Sequence, residues 1–382
     1  METFDYVVVG AGLAGAATAC QLTAAGKRRV LVLERESGPG VHSSGRNAAM
    51  VRQVVADPVV AELSRRGARY IAEETPCWKN PPEFARHGSL LLGSGEDFAR
   101  FGPALEACRA EGVEVRELGP REAVALHPLL EGAAFEQALY TPSDGWVDVR
   151  ALLDGYLAEA RRGGAVVWAD AALSGVQRRP PGGFVLETSK GKIGAGVLVN
   201  AAGAWAEEVA RLAGAPAAGL APHRRHLFDT APVSGVEYGW PFVWHLGEEV
   251  YFRPNGTGLM LCPCDEDPFP PGDPQAVPEA EVLLREKLGR AVPRLAEAPV
   301  VSGRAGLRVL APGGRSVVGW DPALEGFFWV AGLGGHGVTA SGAIGQVAAR
   351  LLTGGKDPLE KALAPGRGER PRRGAMESAQ DA

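Results

Sequence analysis

The apolar residues of this chain fall into short runs that break on glycine, and the first break is the most informative. Tyr6 to Val9 are apolar, Gly10, Gly12 and Gly15 follow as a G-x-G-x-x-G turn, an Ala/Leu-rich segment runs to about Ala25, and Val30 to Leu33 end on Glu34. Short apolar runs bounded by turn signals predict strands and the longer segment a helix, so the unit is strand, turn, helix, strand. Each glycine has a physical task there. Gly10 permits the tight turn, Gly12 lets the backbone approach a pyrophosphate, and Gly15 lets the helix pack close to the strand. The helix N-terminus, at Leu13 and Ala14, offers free N–H groups and partial positive charge to two phosphates. Glu34 can accept both hydroxyls of an adenosine ribose, each charge-assisted bond contributing roughly 1.5 to 3 kcal/mol. A glycine-rich turn that binds nothing is the plainer alternative, and the strand, helix and acidic terminus in the right order weigh against it.

Beyond Glu34, Gly38 to Gly40 break the chain and a polar loop, His42 to Asn47, leads into an apolar stretch. Its serines, glycine and arginine suit further phosphate or flavin-edge contacts. They equally suit a helix cap, with Ser43 or Ser44 capping a segment from Asn47. Helical patterns cover Asp57 to Glu74, Glu96 to Gly112, Pro120 to His127, Val149 to Arg161 and Glu279 to Ala291. Strand patterns cover Ser89 to Gly93, Ala165 to Trp168, Phe184 to Thr188 and Lys192 to Val199. The last runs into Asn200, Ala201, Ala202, Gly203, Ala204 and Trp205, where small residues mark either a ligand meeting the sheet or close helix–strand packing. Arg224 to Thr230, Phe242 to Leu246, Val250 to Arg253 and Gly258 to Cys262 predict a second sheet, followed by strands at Gly303 to Leu310 and Ser316 to Gly319. Gly326 to Gly354 then repeats the opening grammar: apolar strand, glycine turn (Gly332, Gly334, Gly335, Gly337) and helix, a second natural site for negative charge.

A length of 382 residues and 46% hydrophobic content predict two domains with ample core. A net charge of -5 and a pI near 5.9 weigh against a nucleic-acid partner. The five cysteines, Cys20, Cys77, Cys108, Cys262 and Cys264, form no framework, which fits a reducing compartment. Cys262 and Cys264 are the one close pair, and with no His or second Cys pair nearby no metal is expected. No apolar run is long enough to span a bilayer and the first strand leaves no room for a signal peptide, so a cytoplasmic protein is expected. The Val59 to Ile71 segment could lie on a membrane surface or pack into the core. Residues 365 to 382, rich in Pro, Gly, Arg and Glu, predict a disordered tail.

Over roughly residues 4 to 354 the chain resembles the FAD-dependent D-amino acid oxidase and dehydrogenase superfamily, which includes glycine and sarcosine oxidases; the bacterial D-arginine dehydrogenases look like the nearest branch. The resemblance is carried by VVVGAGLAGA with LVLERE, HSSGRNAA, VLVNAAGAW, Arg224-Arg225, WP followed by EEVYFRP, AGLR, and GFFWVAGLGGHG. It implies an α/β fold: a Rossmann-like FAD-binding domain (1–80, 145–215, 300–355) interleaved with an α+β substrate domain on a mainly antiparallel sheet (81–144, 216–299), with 356–382 as tail. It implies FAD contacts from the opening unit with Glu34 and Arg35, from Ser43, Ser44, Gly45, Arg46, Asn47 and Ala48, and from Ala201, Ala202, Gly203 and Trp205. It further implies contacts from the turn Gly334, Gly335, His336, Gly337, Val338 and Thr339. Leu307 falls near the place of the cysteine that tethers FAD in sarcosine oxidases, so FAD is expected to be non-covalent.

The resemblance also implies a clamp for a substrate carboxylate at Arg308, Tyr251 and Arg225, with Arg224 as an alternative to Arg225. A planar guanidinium grips a carboxylate bidentately while a phenol adds a third bond. Ser89 stands where the D-arginine enzymes carry a glutamate, Met50 and Val55 where they carry a histidine and a tyrosine, and Phe242 and Trp244 where their walls are smaller. A guanidinium buried without a partner costs several kcal/mol, so an uncharged side chain is expected. The expected reaction is hydride transfer from the alpha carbon of a small D-amino acid to flavin N5, giving a 2-oxo acid and ammonia. A 2-hydroxy acid is the alternative, with His336, or less favourably His245, as the base its hydroxyl needs. A flavoprotein without turnover is the third reading. Oxygen, a quinone or a protein could accept the electrons.

Overall fold

The computed structural model describes residues 1–27 and 29–366. Of the tail expected at 356–382, the first part packs on the body, Asp357 pairing with Arg66 and Arg350 and the short helix Glu360–Leu363 burying Leu363, while the tail expected at 365–382 lies, from residue 367 on, outside the described residues.

The strand Thr3–Val9 sits centrally because all but two of its residues are buried, and a strand with both faces covered needs parallel neighbours. It pairs in parallel with Val30–Leu33 on one side and Gly191–Asn200 on the other. The first sheet runs Leu173–Arg178, Phe184–Thr188, Gly191–Asn200, Thr3–Val9, Val30–Leu33, Val166–Trp168, with Phe327–Ala331 joined in parallel to Gly191–Asn200 and Val317–Trp320 to its far side. The helices Leu13–Ala24, Pro58–Glu73, Val149–Arg162 and Gly337–Leu352 cover one face in a single apolar cluster. Asp57 starts the second of these, its Oδ1 accepting the N–H groups of Val59 and Val60, with Pro58 in the first turn where a missing N–H is harmless. Val60, Leu63, Ala68 and Ile71 are buried, so this segment packs into the core, as one of the two readings of Val59 to Ile71 had it.

The second sheet is antiparallel except where Phe242–His245 runs parallel to Ser89–Gly93. Ala221–Thr230, Gly258–Cys262, Val250–Asn255, Phe242–His245, Ser89–Gly93 and Gln137–Thr141 follow in order. Val300–Leu310 pairs along the whole of Ala221–Thr230, so residues 300–310 belong to this sheet, although the sequence reading grouped them with 300–355. The strand serves both layers: Leu307 and Val309 sit in the core of the first sheet while its N-terminal half edges the second. A third, three-stranded sheet (Met50–Val51, Gly145–Val147, Phe84–Ala85) has no counterpart in the sequence reading, its strands being too short to show alternation. Glu96 to Gly112 is two helices, Gly95–Ala99 and Gly102–Ala110, divided just before Pro103.

Candidate active site

Gly10 has φ +105°, and a Cβ there would lie 2.4 Å from the Ala201 carbonyl oxygen. Only glycine lets the opening turn close onto the end of Gly191–Asn200, where Ala201 donates its N–H to Val9 O. Gly15 is needed for the packing expected of it, since a Cβ would meet Gly10 O at 1.9 Å. Glu34 is buried at the tip of its strand, its Oε2 accepting the Ala11 N–H at 3.0 Å and its Oε1 the Glu36 N–H at 3.0 Å. Ser44 caps a helix, though not one beginning at Asn47: its Oγ accepts the Leu13 N–H at 3.0 Å, serving a helix whose own N-cap, Gly12, has no side chain to offer. Residues from Asn47 onward enter the short strand Met50–Val51 instead.

Two cavities meet along Gly12, Ser43, Ser44, Ala201 and Gly203. The first, about 220 Å³, is walled by Gly10, Glu34, Arg35, Ala202 and Trp205. The Arg35 guanidinium lies 4.7 Å from the Trp205 ring centroid and the His42 ring 4.5 Å, which gives this chamber a flat, cation-flanked wall. The second, about 200 Å³, is walled by Leu13, Ala14, Arg46, Asn47, Ala48 and Met50 on one side and by Gly334, Gly335, Gly337 and Val338 on another. Arg225, Tyr251, Arg308, Leu227 and Trp244 close its end.

Four positions expected at the cofactor do not line these two chambers: Gly15, Gly45, His336 and Thr339. Thr339 is turned to a structural task, its Oγ1 accepting the Arg52 N–H and bonding the Met50 carbonyl at 3.2 Å, which ties the last helix to the three-stranded sheet. Ser89 and Phe242, expected in the substrate pocket, are neighbours on the second sheet and fully buried away from the cavity wall. Ser89 Oγ donates to Asp144 Oδ2 at 2.7 Å. Burial outweighs that bond and those from Gln53 and pushes Asp144 up to about 6.

The clamp residues converge. Arg225 rather than Arg224 faces the cavity, since alternate residues of a strand point to opposite faces. Arg224 pairs with Asp267 at 3.2 Å and lies over Phe269. Arg225 Nη2 reaches Glu266 Oε1 at 3.1 Å, while its Nε and Nη1 are buried without a hydrogen-bond partner among the described residues. Burial works against its charge, but the acidic groups around it, Cys262 first, hold Arg225 firmly protonated. Arg308 Nη1 lies 3.4 Å from the same Glu266 oxygen. Tyr251 is 4% exposed, its ring 4.7 Å from that of Trp244, and burial raises its pKa so that the phenol stays a donor. Arg308 rests against the second glycine turn: Gly335 has φ +86° and a Cβ there would lie 2.4 Å from Arg308 Nε.

Arg52 and Glu266 escaped sequence reasoning. Arg52 lies over the Trp244 ring at 4.2 Å, with Nη2 3.5 Å from His336 Nε2. Burial lowers its pKa to about 10, which leaves it cationic at neutral pH. Its one signal was a charge inside the apolar stretch Ala48 to Val55; Glu266 had none beyond its place after the Cys pair. His336 is half-buried beside two guanidinium groups, and burial, then Arg52 and Arg308, lower its pKa to about 3. Cys262 and Cys264 pack beneath Tyr251, and among the described residues no group of three or more potential metal ligands converges.

The fold and the two-chambered trench define a dinucleotide-binding oxidoreductase with a cationic clamp at one end. The chain belongs to the FAD dependent oxidoreductase (DAO) family, which matches residues 5–351, and it uses FAD. It is 27% identical over 376 residues to the mitochondrial sarcosine dehydrogenase of Homo sapiens, covering 93% of this chain and 40% of that one. The chain thus spans about two fifths of the length of the curated relative. Its fold is that of L-proline dehydrogenase from P. horikoshii (TM-score 0.84, 23% identity, 94% and 95% of the two chains). It is also that of glycine oxidase from Geobacillus kaustophilus (TM-score 0.81, 22% identity, 97% and 100%). These likenesses do not single out the D-arginine dehydrogenase branch. Among the described residues no helix is long and apolar enough to cross a membrane.

Proposed function

We propose that the chain oxidises the CH–N bond of a small amino acid with an uncharged side chain, a D-amino acid first, to an imine that hydrolyses to the 2-oxo acid and ammonia. The observation that carries this reading is the pair of orphaned, buried donors on Arg225, beside Tyr251 and Arg308 at the end of the second chamber. A buried N–H without a partner is costly, so such donors mark where an anion is bound. The residues fit FAD: the backbone at Gly10 and Gly12 with Glu34 would hold its ADP half, and Leu13, Ala14, Asn47, Ala48 and the 334–338 turn its flavin. Leu307 offers no tether, so attachment is non-covalent. Bound there, FAD supplies the hydride acceptor.

The chain's own work is to fix the carboxylate and choose the amine. Arg308 and Arg225 grip the carboxylate and Tyr251 donates a third bond, which sets the alpha carbon in one place and lowers the barrier through orientation. Glu266, shared by both guanidinium groups, offsets one positive charge and holds the two in register. No acidic side chain stands among the described lining residues of this chamber, and Met50, Leu227 and Trp244 are apolar there, which supports an uncharged substrate side chain. A 2-hydroxy acid needs a base for its hydroxyl proton, and His336, held down to about 3, is a weak one. An amine that has lost its ammonium proton needs none, and its lone pair assists hydride departure. A clamp of this kind also has no use in a flavoprotein without turnover.

Anaerobic flavin bleaching tests the reading, with the purified yellow protein offered D- and L-amino acids, N-methyl amino acids and 2-hydroxy acids. Small uncharged D-amino acids are expected to bleach it, and Arg308→Ala is expected to cut the second-order rate of bleaching about a hundredfold or more, the loss of two charge-assisted bonds. Bleaching by hydroxy acids alone, or by nothing in the panel, overturns the proposal.

A further inference from the structure

Arg52 backs the clamp end of the second chamber without lining it. Its guanidinium lies 4.2 Å from the centroid of the Trp244 ring, and that ring in turn lies 4.7 Å from the ring of the clamp residue Tyr251. Whatever holds Arg52 therefore holds one face of the indole on which the phenol rests. Among the described residues Arg52 makes no ion pair, and its side-chain hydrogen bond to His336 is long, at 3.5 Å. Burial works against its charge, and the first of the groups that oppose this is Asp144, ahead of Cys264 and Tyr251.

Asp144 is fully buried in the passage from Gln137–Thr141 of the second sheet to Gly145–Val147 of the three-stranded one. Its Oδ1 accepts the Gln53 N–H at 3.1 Å and Gln53 Nε2 at 2.9 Å, and its Oδ2 accepts the Ser89 hydroxyl at 2.7 Å. The residue next to Arg52 is thus gripped by backbone and side chain together, which fixes where the guanidinium starts. These bonds do not require a charge. An asparagine could accept both Gln53 donors through its oxygen and donate to the Ser89 hydroxyl through its nitrogen. Of the charged groups around Asp144, Arg52 acts on it first, while Cys108, on the helix Gly102–Ala110, is a thiol whose own pKa is raised by burial and then by Asp144 among its neighbours. A carboxylate kept in so dry a place is costly, and such groups concentrate where a function uses their charge.

We propose that Asp144 is a positioning residue for the substrate clamp: its carboxylate charge, acting through Arg52, seats Trp244 against Tyr251 and so sets the affinity for the substrate carboxylate. The inference rests on the clamp reading proposed above. Losing a negative charge near a cationic clamp would by itself tighten the hold on an anion, whereas losing the seat of Trp244 loosens it. The sign of the change therefore separates a positioning role from a through-space one.

The oxidised holoprotein is titrated with propionate, a carboxylate with no amine to oxidise, and the dissociation constant is read from the flavin visible spectrum. At about pH 7.5 Asp144→Asn is expected to raise that constant about tenfold, and the same substitution in an Arg52→Met background to change it by less than about twofold. Between about pH 8 and 5.5 the wild type is expected to approach the Asp144→Asn value, as Asp144, pushed up by burial to about 6, takes up its proton. Cys262, held against burial at about 6 by Cys264 and Arg225, titrates in the same range in both proteins, and His336, at about 3, in neither. The difference between the two curves therefore reports Asp144. Ser89→Ala keeps the carboxylate but removes the bond that most lowers its pKa, so it is expected to move the midpoint of that difference upward, and it tests the role should Arg52→Met fail to fold. Propionate bound by Asp144→Asn as tightly as by the wild type or more tightly, an equal loss with and without Arg52, or parallel pH curves overturn the proposal and leave the clamp standing. A wild type that binds no propionate overturns the clamp reading, and this role with it.

Discussion

The chain uses one local grammar twice, strand then glycine turn then helix, and sets it two different tasks. At the first turn, Gly10 brings backbone against backbone: its missing Cβ makes room for the Ala201 carbonyl on the adjacent strand. At the second, Gly335 brings backbone against a side chain, and the room it leaves is taken by the guanidinium of Arg308, which comes from the long strand shared by both layers. The first turn therefore builds the proposed cofactor cradle, while the second joins it to the proposed substrate clamp. A glycine motif specifies a close approach, and what approaches is decided by the rest of the fold.

The largest expected effect breaks the first turn. Gly10→Ala combines a positive φ with a backbone clash, and about 3 kcal/mol or more of stability should go. The purified variant should carry little FAD by absorbance, and a melting temperature and FAD content equal to wild type would refute the role assigned to this turn. Gly335→Ala is expected to separate the two turns. Its Cβ displaces Arg308, so the substrate concentration for half-maximal bleaching should rise about tenfold, with far more FAD retained than in Gly10→Ala. Equal loss of FAD in both variants would erase the distinction between them.

His336 lies in the second turn and has no counterpart in the first. An unperturbed histidine titrates near 6.5, and this one titrates near 3 in the folded chain. Between those values the unfolded chain binds the extra proton, so the histidine's contribution to stability is complete above 6.5 and is lost as the pH falls toward 3. His336→Gln is expected to lose less stability than wild type between pH 7 and about 4.5 in urea titrations. It should also leave the pH profile of bleaching above about 5 unchanged in shape, because the folded histidine is already neutral there. A midpoint that shifts equally with pH in both proteins would mean that the imidazole titrates freely.

Local grammar was legible in the sequence and lateral relations were not. Thr3–Val9 with Leu13–Ala24, Ser89–Gly93, Gly258–Cys262 and the closing helix stand close to where periodicity and glycine placed them, because each carries its own apolar pattern and stop signals. The three-stranded sheet was invisible because strands of two or three residues have no period to detect. The clamp residues Arg225, Tyr251 and Arg308 came from family resemblance, and the choice of Arg225 over Arg224 needed the strand's facing. Glu266 and Arg52 were missed because their meaning lies wholly in partners far along the chain. Ser89 and Phe242 were assigned to the pocket by resemblance to the D-arginine enzymes, and their neighbours in the second sheet bury both.

Ser44 offers the gentlest test of how the first turn is completed. The helix Leu13–Ala24 begins at a glycine, which cannot cap it, and the missing bond arrives from a serine on the loop that also walls both cofactor chambers. That shared position would couple capping and cofactor binding through one hydroxyl. In Ser44→Ala the Leu13 N–H loses its partner, and the expected cost is about 1 kcal/mol, which corresponds to a roughly fivefold change in an equilibrium constant. If the hydroxyl serves the helix alone, that cost appears in the urea midpoint of the apoprotein and FAD affinity is unchanged. If it also orders the loop for the cofactor, the dissociation constant for FAD, followed by flavin fluorescence on titrating apoprotein, rises about fivefold as well. The shared wall leads us to expect both, and a variant that changes neither would show that the first turn is complete without the loop, as the second turn is.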